Sequence, residues 1–155
     1  MTDKKIIFMG TPKIASTYLE ALVLENYNII ASYSQPAKKK GRGMILKKTP
    51  VHKLALSKNI NVYTPDNFNN EESKNTIINL KPDIIIVMGY GLKLPKFVLD
   101  LPKYGCINIH ISLLPHWRGA SPLEYSLMNG DKETGVSIIK LVEKIDSGPI
   151  MASKS

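Results

Sequence analysis

Asn108, His110 and Ser112 alternate with Ile107, Ile109 and Ile111 in the stretch CINIHISLLP. Residues two apart on a strand point the same way, so the amide, the imidazole and the hydroxyl share one face. Polar groups on the internal face of a covered sheet need partners or a cleft. The Ser-Leu-Leu-Pro that follows is a strand-end loop, the place where open α/β sheets bind ligands. An amide and an imidazole converging there could donate hydrogen bonds to a developing oxyanion, each worth roughly 3–4 kcal/mol in a dry, preorganised site. Downstream, EKIDSGP sets Asp146 in a Gly-Pro loop directly after a strand, expected on the same edge of the sheet. A carboxylate beside His110 would favour the imidazolium and orient the ring, a pattern suited to acyl transfer with a neutral amine nucleophile. A satisfied structural histidine on a wet edge strand, with an ordinary turn aspartate, fits the same residues.

The elements that must position this trio alternate in type. KIIFMG is a short buried strand ending in Gly-Thr-Pro, and IASTYLEALVLEN carries Ile14, Tyr18, Leu22 and Val23 on one helical stripe. NIIASYS is a second strand, followed by a basic loop. TPVHKLALSKN opens a helix with Thr49 as N-cap and Pro50 at its first position. INVYTP is a third strand, NEESKNTIINL a helix with acids in its first turn, and PDIIIVMGYG a continuous apolar strand ending in two glycines. GCINIHIS is the next strand, GASPLEYSLMNG a helix closed by Gly130, and TGVSIIKLVEKIDSGPI a strand entering a loop. Such alternation predicts an α/β domain with a mostly parallel sheet and helices on both faces.

Composition narrows the chemistry. With 155 residues, 43% of them apolar, one domain with an aliphatic core is expected. The single cysteine, Cys106, excludes an internal disulfide framework, and no apolar run approaches membrane-spanning length, so a cytoplasmic protein away from the membrane is expected. His52, His110 and His116 lack ligand spacing with one another or with Cys106, which leaves no metal site. Neither G-x-G-x-x-G, a P-loop nor a G-x-S-x-G elbow occurs. The net charge of +8 is concentrated between Asn26 and Pro65, which holds Lys38, Lys39, Lys40, Arg42, Lys47, Lys48, Lys53 and Lys58 and no acid. Either a polyanion such as RNA meets this segment, or it is a solvated lysine-rich loop.

NIHISLLPHWRGASP, followed by GDKETGV and IDSGPI, resembles the folate-dependent formyltransferase family, and most of all its tRNA-formylating members. IIFMGTP, QPAKKKGRG, TPVHKLA and PDIIIVMGYGLKLPK extend the resemblance over essentially the whole chain. It implies a Rossmann-like formyltransferase fold, with residues 1–155 a catalytic domain. The implied reaction moves a formyl group from 10-formyltetrahydrofolate to the amino group of methionine on initiator tRNA. By the same resemblance, Asn108 and His110 stabilise the oxyanion, and Asp146 pairs with His110 and helps move the amine proton. Ser112, Leu113, Leu114 and Pro115 match the folate-contacting loop. Met88, Gly89, Tyr90 and Gly91 match the strand end lining the pterin pocket. Lys38, Lys39, Lys40 and Arg42 match an insertion that reaches the tRNA acceptor stem. His116, Gly89 and Ile111 depart from the family's usual arginine, alanine and small residue.

The sequence stops at MASKS, just where PIMAS begins to read as another strand. The resemblance implies further sheet and helix and then a β-barrel. This leads to the expectation of a truncated chain, a shortened gene product, or half of a split protein completed by a separate chain.

Overall fold

The computed structural model describes residues 3–40 and 44–155. Continuous β-branched and apolar runs form the central strands β1 (Ile6–Gly10), β2 (Ile29–Tyr33) and β6 (Ile84–Met88), as expected where both faces are covered. With β5 (Val62–Tyr63), β7 (Cys106–His110), β8 (Val136–Lys140) and β9 (Ile150–Lys154) they make one seven-stranded sheet, ordered β5-β2-β1-β6-β7-β8-β9. Alternate residues of β1 part to opposite faces. Ile6 and Phe8 pack with Ala15 and Leu19 of α1 (Lys13–Leu24) and with Val51 and Ala55 of α2 (Pro50–Ser57). Ile7 and Met9 pack with Ile77 of α3 (Glu71–Leu80) and Val98 of α4 (Lys96–Leu99). The Rossmann-like arrangement, helices on both faces of a mostly parallel sheet, is therefore present.

Local chemistry fixes the helix starts. Thr49 Oγ1 accepts the His52 N–H at 3.1 Å, and Asn70 Oδ1 accepts the Ser73 N–H at 2.8 Å. A fifth helix, α5 (Pro122–Asn129), ends at Gly130, whose φ of 71° is the left-handed cap that glycine allows.

Two features differ from the sequence reading. The basic loop is an antiparallel hairpin of β3 (Lys38–Lys40) and β4 (Ile45–Lys47), pairing Lys38 with Lys47. Its three-residue strands bury no apolar face, so they leave no alternating pattern to read. The second difference concerns the sheet direction. The β1, β2, β5, β6 and β7 pairs are parallel, but β8 runs antiparallel to β7, with His110 opposite Ser137 and Ile107 opposite Lys140. The end of β8 therefore lies at the opposite edge of the sheet from the end of β7. Asp146 does not follow a strand at the shared edge; the loop 141–149 must climb back to it.

Candidate active site

On β7 the period of two is obeyed. Cys106 packs in the core under α4, while Ile107, Ile109 and Ile111 face the α1–α2 layer. Asn108 and His110 consequently share the α3–α4 face with Cys106, close to the strand's carboxyl end. The Cys106 thiol lies 3.5 Å from the Val98 carbonyl, and burial pushes it up to about 12.

The climbing loop leaves β8 with the Leu141 N–H donated to the Cys106 carbonyl at 2.8 Å, and it returns with the Lys140 N–H donated to the Pro149 carbonyl at 3.0 Å. Between these ties the chain lifts Asp146 over β7. Asp146 adopts a φ of 44°, a left-handed conformation that Asp and Asn tolerate. Its Oδ1 accepts from Asn108 Nδ2 at 3.3 Å, and its Oδ2 accepts the Gly119 N–H at 2.8 Å. His110 Nδ1 stands 3.7 Å from Oδ2. His110 and Asp146 are buried, at 5% and 8% exposure. The other ring nitrogen, Nε2, lies 2.8 Å from the Trp117 carbonyl. A carbonyl only accepts, so Nε2 carries a hydrogen and donates it. The amide, the imidazole and the carboxyl thus meet, with Asp146 between the other two.

Asn108 and Asp146 line a cavity of about 350 Å³ together with Gly89, Tyr90, Gly91, Gly119 and Ala120. Its apolar lining comes from Leu92, Leu94 and Leu99 and from Leu141, Val142 and Ile145. These six were missed from sequence. The LKLP after Gly91, the KFVL that follows it and the LVEKI after the strand were their only trace, and all resemble ordinary core-covering segments. Gly89 (φ 57°) passes so close to Pro12 that an added Cβ would lie 3.0 Å from its ring. Gly91 (φ 86°) lies against Gln35. The Tyr90 hydroxyl and Gln35 Nε2 are buried without a hydrogen-bond partner among the described residues, and burial holds the Tyr90 phenol well above its ordinary value.

The remaining expected site residues sit elsewhere. Met88 is buried on the α1–α2 face, outside the cavity. Ser112, Leu113, Leu114 and Pro115 do not line it either. Ser112 Oγ donates to the His116 carbonyl at 2.6 Å, while Ser137 Oγ donates to the Ser112 carbonyl at 2.7 Å and accepts the Leu114 N–H at 3.0 Å. That turn, with a cis Leu114–Pro115 bond, instead borders a second pocket through Leu113, His116 and Trp117, which Asp131 also lines. His110 also stands behind the cavity wall and not in it. Lys38 and Lys39 are exposed on β3, Lys40 continues that strand, and Arg42 lies outside the described residues. Among the described residues no group of three or more His, Cys, Asp or Glu is placed to hold a metal ion, and no helix is long and apolar enough to cross a membrane.

Residues 4–155 match the model of a family described as formyl transferase. The chain belongs to the formyl transferase family. Among curated relatives, the methionyl-tRNA formyltransferase of Legionella pneumophila strain Paris is 44% identical over 97% of this chain, and that of strain Corby 42%. The chain spans about half the length of these relatives, 48% in each case. Solved formyl transferase structures share the fold at lower identity. The phosphoribosylglycinamide formyltransferase of Bacillus halodurans superimposes with a TM-score of 0.78 at 21% identity, covering 97% of this chain and 78% of its own. A sugar N-formyltransferase from Shewanella sp. FDAARGOS_354 gives 0.67 at 20%, over 99% and 57%.

The cavity combines glycine backbone with an apolar lining. Gly89 and Gly91 bring bare backbone to it, and leucines line it. Its volume falls at the lower end of the roughly 300–1,000 Å³ usual for small-molecule sites.

Proposed function

We propose that this chain is the catalytic domain of an enzyme that transfers a formyl group from 10-formyltetrahydrofolate to the amino group of methionine esterified to initiator tRNA. The observation that carries the reading is Asp146, buried between Asn108 and His110 at the wall of an apolar cavity. The methionyl-tRNA formyltransferases that match nearly the whole chain support the choice of acceptor.

Bound in the cavity, 10-formyltetrahydrofolate supplies the electrophilic formyl carbon. Asn108 Nδ2 has two hydrogens; Asp146 takes one, and the other serves the oxygen on which negative charge develops. The His110 Nε2–H is engaged by the Trp117 carbonyl, so it joins Asn108 by exchanging that carbonyl for the substrate oxygen. Asp146, held by the Gly119 N–H, accepts the proton that the attacking amine loses and hands it to the departing nitrogen. The apolar walls exclude water and strengthen these interactions. Gly89, Tyr90 and Gly91 carry the ring, and the basic hairpin at Lys38 and Lys39, continued by Lys40 and Arg42, meets tRNA phosphates.

The test is transfer of labelled formyl from 10-formyltetrahydrofolate to methionyl initiator tRNA by this chain, with His110→Ala and Asn108→Ala alongside. Turnover that drops about 10²–10³-fold in each variant is the expected result. Transfer to an amino sugar or a purine nucleotide in place of tRNA would overturn the acceptor assignment. Folate or RNA binding without any turnover would mark a binding remnant and overturn the catalytic one.

A further inference from the structure

A groove of about 430 Å³ runs between α1 and α2. Lys13, Ser16 and Glu20 descend one face of α1 into it, and Lys48, Lys53 and Ser57 meet them from the α2 side. The serine hydroxyls are spent locally, on the Lys13 and Leu54 carbonyls at 2.7 Å each. Glu20, the acid of the groove, is engaged by Lys58 at 3.7 Å. Lys13, Lys48 and Lys53 are exposed and have no carboxylate within 4.0 Å among the described residues. Neither α1 nor α2 carries an acid in its first turn, whereas α3 carries Glu71 and Glu72. The two helix N-termini therefore add to the lysine field instead of being neutralised. His52, in the first turn of α2, registers that field: burial and then the Lys48 charge hold its imidazole below the usual value.

Position gives the field a purpose. Lys48 directly follows β4 of the basic hairpin. Lys13 stands at the same end, where both parallel helices begin, and follows Thr11 and Pro12. The Thr11 hydroxyl donates to the Tyr90 carbonyl at 2.8 Å, and Pro12 packs on Gly89 at the cavity rim. The lysine end of the groove is thus the surface that lies between the hairpin and the site.

We propose that Lys13, Lys48 and Lys53 form a second phosphodiester-binding surface, which carries the RNA backbone from the hairpin to the cavity. This rests on the RNA-acceptor reading above, and the experiment separates the two. Binding of fluorescent initiator tRNA is measured between 50 and 200 mM salt for the wild type, the groove variant Lys13→Gln/Lys48→Gln/Lys53→Gln, its Lys→Arg counterpart, and the hairpin variant Lys38→Gln/Lys39→Gln/Lys47→Gln. Loss of three phosphate contacts lowers the slope of log affinity on log salt by about 2, which is about 100-fold near 0.1 M salt. That loss is expected in the groove Gln variant, with slope and affinity retained in the Arg variant. Wild-type slope and affinity in the groove Gln variant, beside a loss in the hairpin variant, overturn the groove and leave the RNA reading standing. A loss that the Arg variant shares marks a structural defect and overturns the groove assignment as well. Wild-type binding that ignores salt overturns both readings.

Discussion

Asp146→Asn separates the charge of the carboxyl from its shape. In the structure its two oxygens accept from Gly119 at 2.8 Å and from Asn108 Nδ2 at 3.3 Å. A carboxylate accepts only, so Asp146 decides which way the Asn108 amide is turned. With asparagine one of those oxygens becomes a donor. It then opposes either the Gly119 N–H or the Asn108 amino group, and the cheapest repair is rotation of the Asn108 amide. The cost in stability is small, about 1 kcal/mol, the difference between a charge-assisted and a neutral hydrogen bond. The backbone adds nothing, because a φ of 44° suits Asn as well as Asp. The cost in rate is large. A lost proton acceptor is worth about 10²–10⁴-fold and a misaimed oxyanion donor about 10²–10³-fold. Since the two act as one unit, their effects do not multiply. A drop of about 10³–10⁴-fold is expected, or about 4–5.5 kcal/mol at 1.36 kcal/mol per factor of ten. Single-turnover formyl transfer reads the rate and urea unfolding reads the stability. Asp146→Ala should lose the same activity and about 1 kcal/mol more stability, because alanine tolerates the left-handed backbone poorly. A rate within tenfold of wild type for Asp146→Asn would refute the assignment of the carboxylate, and a stability loss above about 3 kcal/mol would refute the account of its contacts.

Three further outcomes are expected. Ser137→Ala leaves the buried Ser112 carbonyl and Leu114 N–H without their shared partner, so urea unfolding should show a loss of about 2 kcal/mol; an unchanged midpoint counts against the bridge. Asp131 is held below the ordinary aspartate range, first by the Asn129 amide and then by the Trp117 indole. A depressed folded value means this stabilisation is present above the unfolded aspartate value and lost as pH falls through the depressed one. The emission of Trp117, the single tryptophan, should therefore change below the normal aspartate midpoint, and Asp131→Asn should abolish that step. A step that persists in the variant contradicts this. Finally, a Cys106 thiol pushed up to about 12 should resist iodoacetamide at pH 8 in the native chain and react at once in denaturant; equal rates would mean an open site.

Much of the scaffold was legible because its residues obey simple periods. Ile6–Gly10 and Ile84–Met88 are apolar throughout since both their faces are covered, and Thr49-Pro50 announces a helix start by its capping chemistry. Asn108 and His110 share a face for the same reason of period. The antiparallel turn of β8 was not legible, because VSIIK carries the same apolar signal in either direction. That one reversal moved the route to Asp146 from a strand end to a climbing loop. The leucine walls were missed as well, since a side chain that faces a cavity and one that faces core differ only in what lies opposite.

The loop that carries Asp146 is buttoned at both feet, to Cys106 and to the β8–β9 seam. A segment fastened that way cannot swing aside like a hinged door; it can only bow. The distance between the carboxyl and its amide neighbour is therefore gauged by how two outer strands lie side by side. β9, whose residues are all exposed, becomes a handle on the chemistry although it touches none of it.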